Sequence, residues 1–394
     1  MIFLPFHKDI LFIIFFVLVP ALGAISLFTV FRLSKKSDLA LSSIFLLLLF
    51  IATAVRPNII SDDSISYQYY LDNVSLFFLK PDSFNSEVRI ESTYLVFLYA
   101  YGGLFSVVKY IPVINEVFFL ILLCFSSCRF KSYLYAFFSL CTFFVFGLNT
   151  WRSSISTIGI IIFSLNFSGF SSKKAFMAFH TLKQRAILLF TFFLSSMHYP
   201  TFALLLLILI FTFLLSRNLL KFNYRFSAYQ LTILVIALLA FVGLFYLLSL
   251  SFSDNFQYYS SYFLDPNYQP ESGNANRGLS SILFVVTIMF ALFICGLNHN
   301  SVFTLLFKDN FIKVIFCLLC LTAFLISAFG LVVFSRLSIS LFLIFCSRAC
   351  FIFSSDCYEL IPNARKFLIL LSLPLFPYYL YNASNLGQLL LPLF

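Results

Sequence analysis

The sequence predicts an all-α polytopic integral membrane protein, and three observations carry that expectation. Charged residues are 10% of the 394 and hydrophobic residues 61%, whereas a soluble chain is roughly 25% charged. So few charges cannot keep a surface in water. The apolar stretches reach the ~20 residues that cross a hydrocarbon core as helix. They also lack strand-like alternation, and lipid leaves backbone amides to be satisfied within helices or closed barrels.

The apolar runs cover residues 10–31, 39–55, 92–108, 113–128, 133–148, 153–167, 186–197, 200–216, 229–250, 279–297, 312–334, 337–353 and 367–381. The first has no small-residue processing site and is expected to be a retained helix. Two longer polar stretches, 56–91 and 251–278, interrupt the series. No internal repeat or soluble domain stands out, so residues 1–394 read as one transmembrane domain. The 58 Phe residues read as lipid-facing bulk.

The net charge of +10 does not point to nucleic acid, because its distribution follows the positive-inside rule. Arg32, Lys35, Lys36, Arg129, Lys131, Lys173, Lys174, Lys183, Arg185, Arg217, Lys221, Arg225, Lys308, Lys313, Arg348, Arg365 and Lys366 fall on loops that alternate to one side. That side is assigned to the cytoplasm, which puts the 56–91 and 251–278 loops outside. Two apolar runs then share the single net crossing between the 56–91 loop and Arg129. Residues 92–108, with Gly102–Gly103 inside and Pro112 after, are expected to form a re-entrant or half-helix segment. About twelve full crossings remain.

No P-loop, HExxH or paired zinc-spaced cysteine motif occurs, so no cofactor or metal is expected. Cys317 and Cys320 form one CxxC inside an apolar run, which reads as structural. The chemistry-bearing residues gather on the outer side. Arg152 lies in Asn149–Thr150–Trp151–Arg152 at the end of two antiparallel runs. His198 lies at a tight turn before Pro200, whose fixed φ suits a helix start. Arg336 marks another outer turn. The acidic loop holds Arg56, Asp63, Tyr67 and Glu91, and the second loop holds Arg277.

Ionisable residues at membrane depth are costly and tend to mark function. Arg guanidinium offers planar, bidentate donors to phosphate oxygens. A pair of them suits the charge on a departing pyrophosphate. A His or a carboxylate within reach of a sugar hydroxyl suits general-base work.

The order of these residues resembles the EpsG/Wzy-type family of bacterial polysaccharide polymerases. The resemblance rests on Asp63 followed by Tyr67, then Glu91 and Tyr94, then Asn149 and Arg152, then His198–Tyr199–Pro200–Thr201, and finally Arg336–Leu337–Ser338. The family's Gln after the Arg is Ser153 here, and its Ser after His-Tyr is Pro200. The resemblance implies a GT-C-like architecture and an O-antigen-type polymerase of the bacterial inner membrane. Donor and acceptor would be undecaprenyl-pyrophosphate-linked glycans, joined at the periplasmic face, with a chain-length regulator as a further partner. Arg152 and Arg336 would hold the donor pyrophosphate. His198 would act as base or position the acceptor hydroxyl. Asp63, Tyr67 and Glu91 would bind sugar or supply the alternative base, with Arg56 and Arg277 also on the substrate face. A flippase for the same lipid-linked units, an O-antigen ligase and a membrane acyltransferase are the competing readings.

Overall fold

The computed structural model describes residues 13–29, 35–55, 62–79, 92–126, 128, 130–149, 151–166, 182–216, 274–296, 301–329, 333–354 and 363–375. Among them the fold is all-α, with no strand. The helices are α1 (Val19–Thr29), α2 (Lys35–Val55), α3 (Asp62–Leu79), α4 (Ser92–Gly102), α5 (Ile111–Phe125), α6 (Lys131–Asn149), α7 (Trp151–Asn166), α8 (Leu182–Ser195), α9 (Tyr199–Ser216), α10 (Asn274–Gly296), α11 (Ser301–Lys308), α12 (Asn310–Phe329), α13 (Val333–Phe353) and α14 (Ala364–Ser372). A π-helical turn, Ile14–Leu18, runs into α1. Pro20 explains its position: with no N–H and a ring that crowds the preceding turn, it forces the ladder to widen just before it.

Of the described residues, two stretches are long and apolar enough to cross a membrane, Ser37–Val55 and Val108–Phe125. Shorter apolar helices are Arg185–Ser195, Tyr199–Leu215, Ile282–Cys295, Asn310–Ala323 and Leu337–Phe353. Several outward faces are apolar. On α2, Ile44 and Leu47 are 50% and 56% exposed, and on α10 Phe290 and Phe293 are 53% and 64% exposed. Runs of this kind lose free energy against water and gain it against lipid or a partner surface.

Hydrogen bonds fix which helix ends lie together. Asp38, in the first turn of α2, accepts the backbone N–H groups of Lys131 and Ser132 at 3.1 and 3.0 Å. It also accepts the Ser132 hydroxyl. It thereby caps α6 from a neighbouring helix, supplying an acceptor for donors that have no intrahelical partner. So α2 and α6 start at one end of the bundle and run parallel. α7 returns to that end, where Arg348 Nη1 donates to Ser164 O at 2.5 Å. Tyr133 donates to Leu368 O at 2.7 Å, and Asn363 donates to Cys295 O at 3.4 Å, bringing α14 and the end of α10 there as well. Lys131, Lys308, Lys313, Arg365 and Lys366 therefore share this end.

Arg348 departs from its reading as a loop residue. It lies within α13 and is 1% exposed. Its guanidinium forms an ion pair with Asp309 at 2.6 Å, with Nε adding a bond at 3.2 Å. Phe351 and Phe311 lie under it at 4.7 and 5.7 Å. Asp309 in turn accepts the N–H groups of Phe311 and Ile312, capping α12.

At the opposite end Lys109 donates to Ala54 O, at the finish of α2, at 3.1 Å. The α6–α7 and α8–α9 turns lie there too. Both ends of α4 belong to it. Thr93 donates to Ser196 O at 2.7 Å, and the chain after Gly102 turns back through the 3₁₀ turn Val108–Tyr110 beside Ala54. With 11 residues, α4 is roughly 16 Å long, about half the ~30 Å of a hydrocarbon core. Its Gly102 admits α3 closely: a Cβ there would lie 3.2 Å from Leu71 Cδ1.

Candidate functional site

The site is built on the first turn of α7. The small hydroxyl residues of that helix's first two turns, Ser153, Ser154, Ser156 and Thr157, are all buried. Ser156 and Thr157 return their hydroxyls to the carbonyls of Arg152 and Ser153. This satisfies hydroxyl donors inside the bundle from the helix's own carbonyls. Thr157 Oγ1 also meets Ser340 Oγ of α13 at 2.9 Å.

Gly159 brings α8 against the same helix. A Cβ at this position would lie 3.0 Å from Leu194 Cβ and 3.1 Å from Ser195 Oγ. Only the smallest residue allows that approach, the usual device for close helix pairs in apolar surroundings. The consequence is that the α8–α9 turn sits beside the start of α7. In that turn the His198 N–H bonds Ser195 O, and His198 O accepts the N–H groups of Thr201 and Phe202. His198 is therefore the residue from which α9 starts, with Pro200 in its first turn.

Arg152 and His198 meet through their neighbours. Ser153 Oγ lies 3.3 Å from His198 Nδ1 and 3.2 Å from Nε2. Thr201 Oγ1 lies 2.8 Å from Nδ1. Arg152 donates from Nε to the Tyr67 hydroxyl at 2.9 Å, and its guanidinium carbon is 5.8 Å from the Tyr67 ring centre. Tyr67 packs edge-on against Tyr94, with ring centres 5.8 Å apart. Four of the segments singled out in the sequence thus touch: the one with Tyr67, the one with Tyr94, the one with Arg152 and the one with His198.

The remaining residues divide by what the structure describes. Asp63 is one helical turn before Tyr67 on α3, which puts its position on the same face. Arg336 is one turn before Ser340 on α13, and Ser153 is one turn before Thr157 on α7. The contact between Thr157 and Ser340, followed by that between Ser164 and Arg348, makes α7 and α13 parallel. Arg336 is therefore level with Ser153. Arg277 is in the first turn of α10, whose far end is beside Asn363, so it belongs to the same end of the bundle as His198. For these three residues the backbone is described and the side chains are not. Arg56 and Glu91 lie outside the described residues, as does most of the 251–278 loop.

Ser153 and Thr201 were not singled out as site residues by the sequence. Ser153 registered only as a departure from a motif, and Thr201 only as its last residue. The signal that could have found them is their place next to an Arg and one turn from a His. Glu116 is a further buried carboxylate, accepting the Ser139 hydroxyl at 2.6 Å, and it belongs to the α5–α6 contact rather than to this cluster.

The arrangement presents one oriented guanidinium, one imidazole flanked by two hydroxyls, and two tyrosines. Such a set can bind anionic oxygens and hold a hydroxyl or its proton. Among the described residues no group of three His, Cys, Asp or Glu side chains could hold a metal ion. No protein-family model, curated protein or solved structure matches the chain.

Proposed function

We propose that this protein is a polytopic inner-membrane glycosyltransferase that joins lipid-pyrophosphate-linked oligosaccharide units at the periplasmic face, in the manner of an O-antigen-type polymerase. The observation that carries this reading is the meeting of Arg152, Tyr67, Ser153 and His198 at the end of the bundle opposite Lys131, Lys308, Lys313, Arg365 and Lys366. By the positive-inside rule the basic end faces the cytoplasm, which turns the cluster outward. The short α4, with both ends near the cluster, fits a half-helix that returns to the outer face. Irregular backbone at that depth is tolerated where protein covers it.

In this reading Arg152, with Arg336 level with it, holds the donor pyrophosphate and stabilises the charge left on it when the glycosyl bond breaks. Tyr67 orients the guanidinium. The acceptor sugar hydroxyl loses its proton to a base drawn from His198, Asp63 or Glu91. The architecture is GT-C-like, the lipid carrier is undecaprenyl pyrophosphate, and a chain-length regulator is a natural partner.

Glycan analysis after deletion of the gene tests the reaction class. Loss of polymer with a single capped repeat retained marks a polymerase. Loss of all capping marks a ligase, and accumulation of lipid-linked units on the inner leaflet marks a flippase. In a polymerase-deficient strain, Arg152→Ala and His198→Ala expressed at normal level are expected to abolish long glycan. Full-length polymer from either variant refutes the site assignment.

A further inference from the structure

A helix that crosses the bilayer has its depth set by the match between its apolar length and the hydrocarbon core. α4 has no such constraint. At 11 residues it is roughly 16 Å long, and both its ends lie at one end of the bundle. Its place must come from ties to its neighbours, and two side chains supply them. At its start, Thr93 Oγ1 donates to Ser196 O at 2.7 Å, in the turn that carries His198. Beyond its finish, the Gln68 amide of α3 grips the returning chain with both its atoms. Nε2 donates to Ser106 O at 3.0 Å, and Oε1 accepts the Val108 N–H at 3.1 Å. Nε2 also donates to Asp72 Oδ1 at 2.8 Å, which fixes which end of the amide faces which group.

The backbone that Gln68 holds has left the helical ladder. Val107 is extended, with φ −130° and ψ 135°. Val108 opens the 3₁₀ turn, where N–H groups have no intrahelical partner, and it is buried. Tyr101 of α4 donates its hydroxyl to Val107 O, between the two groups that Gln68 takes. Irregular backbone at membrane depth is tolerated only where protein supplies such partners. Both ties reach segments of the candidate site. Gln68 follows Tyr67, whose hydroxyl accepts from Arg152, and Ser196 precedes His198 by one intervening residue. Tyr94 follows Thr93 and is fully buried, its ring centre 5.8 Å from that of Tyr67. α4 therefore links the helix whose tyrosine orients Arg152 to the turn that carries His198.

Resting on the glycosyl-transfer reading above, we propose that α4 is a strap tied at both ends, and that Gln68 and Thr93 are the positioning residues that tie it, so that Tyr94 keeps Tyr67 and Arg152 in place beside the His198 turn. Both residues act through α4 and not on the substrate. Loss of the Gln68 amide leaves the Val108 N–H and the Ser106 carbonyl without that partner, and in lipid the segment is then better placed toward the headgroups and water. No hydrophobic mismatch opposes the move, because α4 does not cross the core. Tyr94 moves with it, and the Tyr67 ring loses its edge contact. Thr93 resists the same move from the other end. A displacement of about an ångström among groups that hold a reacting bond costs up to about a hundredfold in rate.

The test uses the full chain in lipid nanodiscs, as Gln68→Leu, Thr93→Val, the two together, and Thr93→Ser. Hydrogen exchange is followed over residues 92–110. Transfer is measured with undecaprenyl-pyrophosphate-linked repeat units isolated from the polymerase-deficient strain. Exchange of the Val108 amide is expected to quicken about tenfold in Gln68→Leu, and transfer to fall about tenfold in each single variant. Thr93→Ser keeps the hydroxyl and should transfer at the wild-type rate. The two ties sit at opposite ends of α4, too far apart to couple directly, so independent damage would multiply in the double variant. A strap freed at one end has already moved, and the double variant is expected to lose far less than that product. Where Gln68→Leu does not accumulate in the membrane, Gln68→Glu takes its place, keeping the acceptor for Val108 and losing the donor to Ser106. Wild-type exchange over 92–110 in both single variants overturns the ties. Faster exchange with unchanged transfer overturns the positioning role, and losses that multiply overturn the strap. A wild type that transfers nothing from these units overturns the glycosyltransferase reading itself, while the exchange result still decides the ties.

Discussion

Tyr67→Phe removes one oxygen from the site and little else. The hydroxyl accepts from Arg152 Nε at 2.9 Å. The ring, 5% exposed, keeps its edge contact with Tyr94 and its place 5.8 Å from the guanidinium. A hydrogen bond to a charged group contributes about 1.5–3 kcal/mol. Because Arg152 is only partly buried, the lower half of that range applies, and ~1.5–2 kcal/mol corresponds to a ten- to thirtyfold loss in rate. Folding should hardly change, since the apolar contacts survive. Tyr67→Ala differs, because it also empties a buried ring site at a cost of about 3–5 kcal/mol. The assay is glycan length in a polymerase-deficient strain together with transfer rate and thermal unfolding in detergent. The expected pattern is Tyr67→Phe impaired in transfer at wild-type melting temperature, and Tyr67→Ala impaired in both. Transfer by Tyr67→Phe within twofold of wild type, at matched expression, would falsify the view that Tyr67 orients the guanidinium.

Three further outcomes concern the scaffold beneath the site. Arg348→Met should destabilise by about 3 kcal/mol by leaving a buried carboxylate unpaired; Asp309→Ala should cost about 1 kcal/mol more because it also uncaps α12. Equal costs in detergent unfolding would refute the double role given to Asp309. Gly159→Ala gains helix propensity but must push α8 away by tenths of an ångström, for a net loss of ~1–2 kcal/mol. It should also reduce transfer, since α7 and α8 carry Arg152 and the His198 turn; a stabilised, active variant contradicts the close approach. Asp38→Ala should lower stability by about 1–2 kcal/mol through the lost cap on α6, seen as an earlier thermal transition, with Asp38→Asn intermediate; an unchanged transition in Asp38→Ala counts against the cap.

The helix boundaries on which the candidate residues sit were legible, because the sequence marks them. Arg152 opens α7 and His198 starts α9 just before Pro200, where the missing N–H is harmless. The break at Gly102–Gly103 was likewise readable, and α4 ends there. What was hidden is every pairing between segments distant in sequence. Arg152 and Tyr67 are 85 positions apart, and no local pattern says which tyrosine of 21 will orient the guanidinium. Arg348 read as one of the basic residues of the cytoplasmic side because the positive-inside rule groups charges by side and says nothing of their partners. Its partner, 39 positions away, is visible only once α12 and α13 are packed.

Composition and hydrophobic length by themselves pointed to an all-α chain with apolar outward faces, which the described residues show. These properties follow from each segment's own solvent transfer and backbone hydrogen bonding, which need no knowledge of neighbours. The tertiary structure decided which of the few polar side chains share a site. Gly159 lets α8 close on α7, and that approach sets His198 beside Ser153. Such contacts depend on the distance between helices to within an ångström, a quantity that no single segment contains.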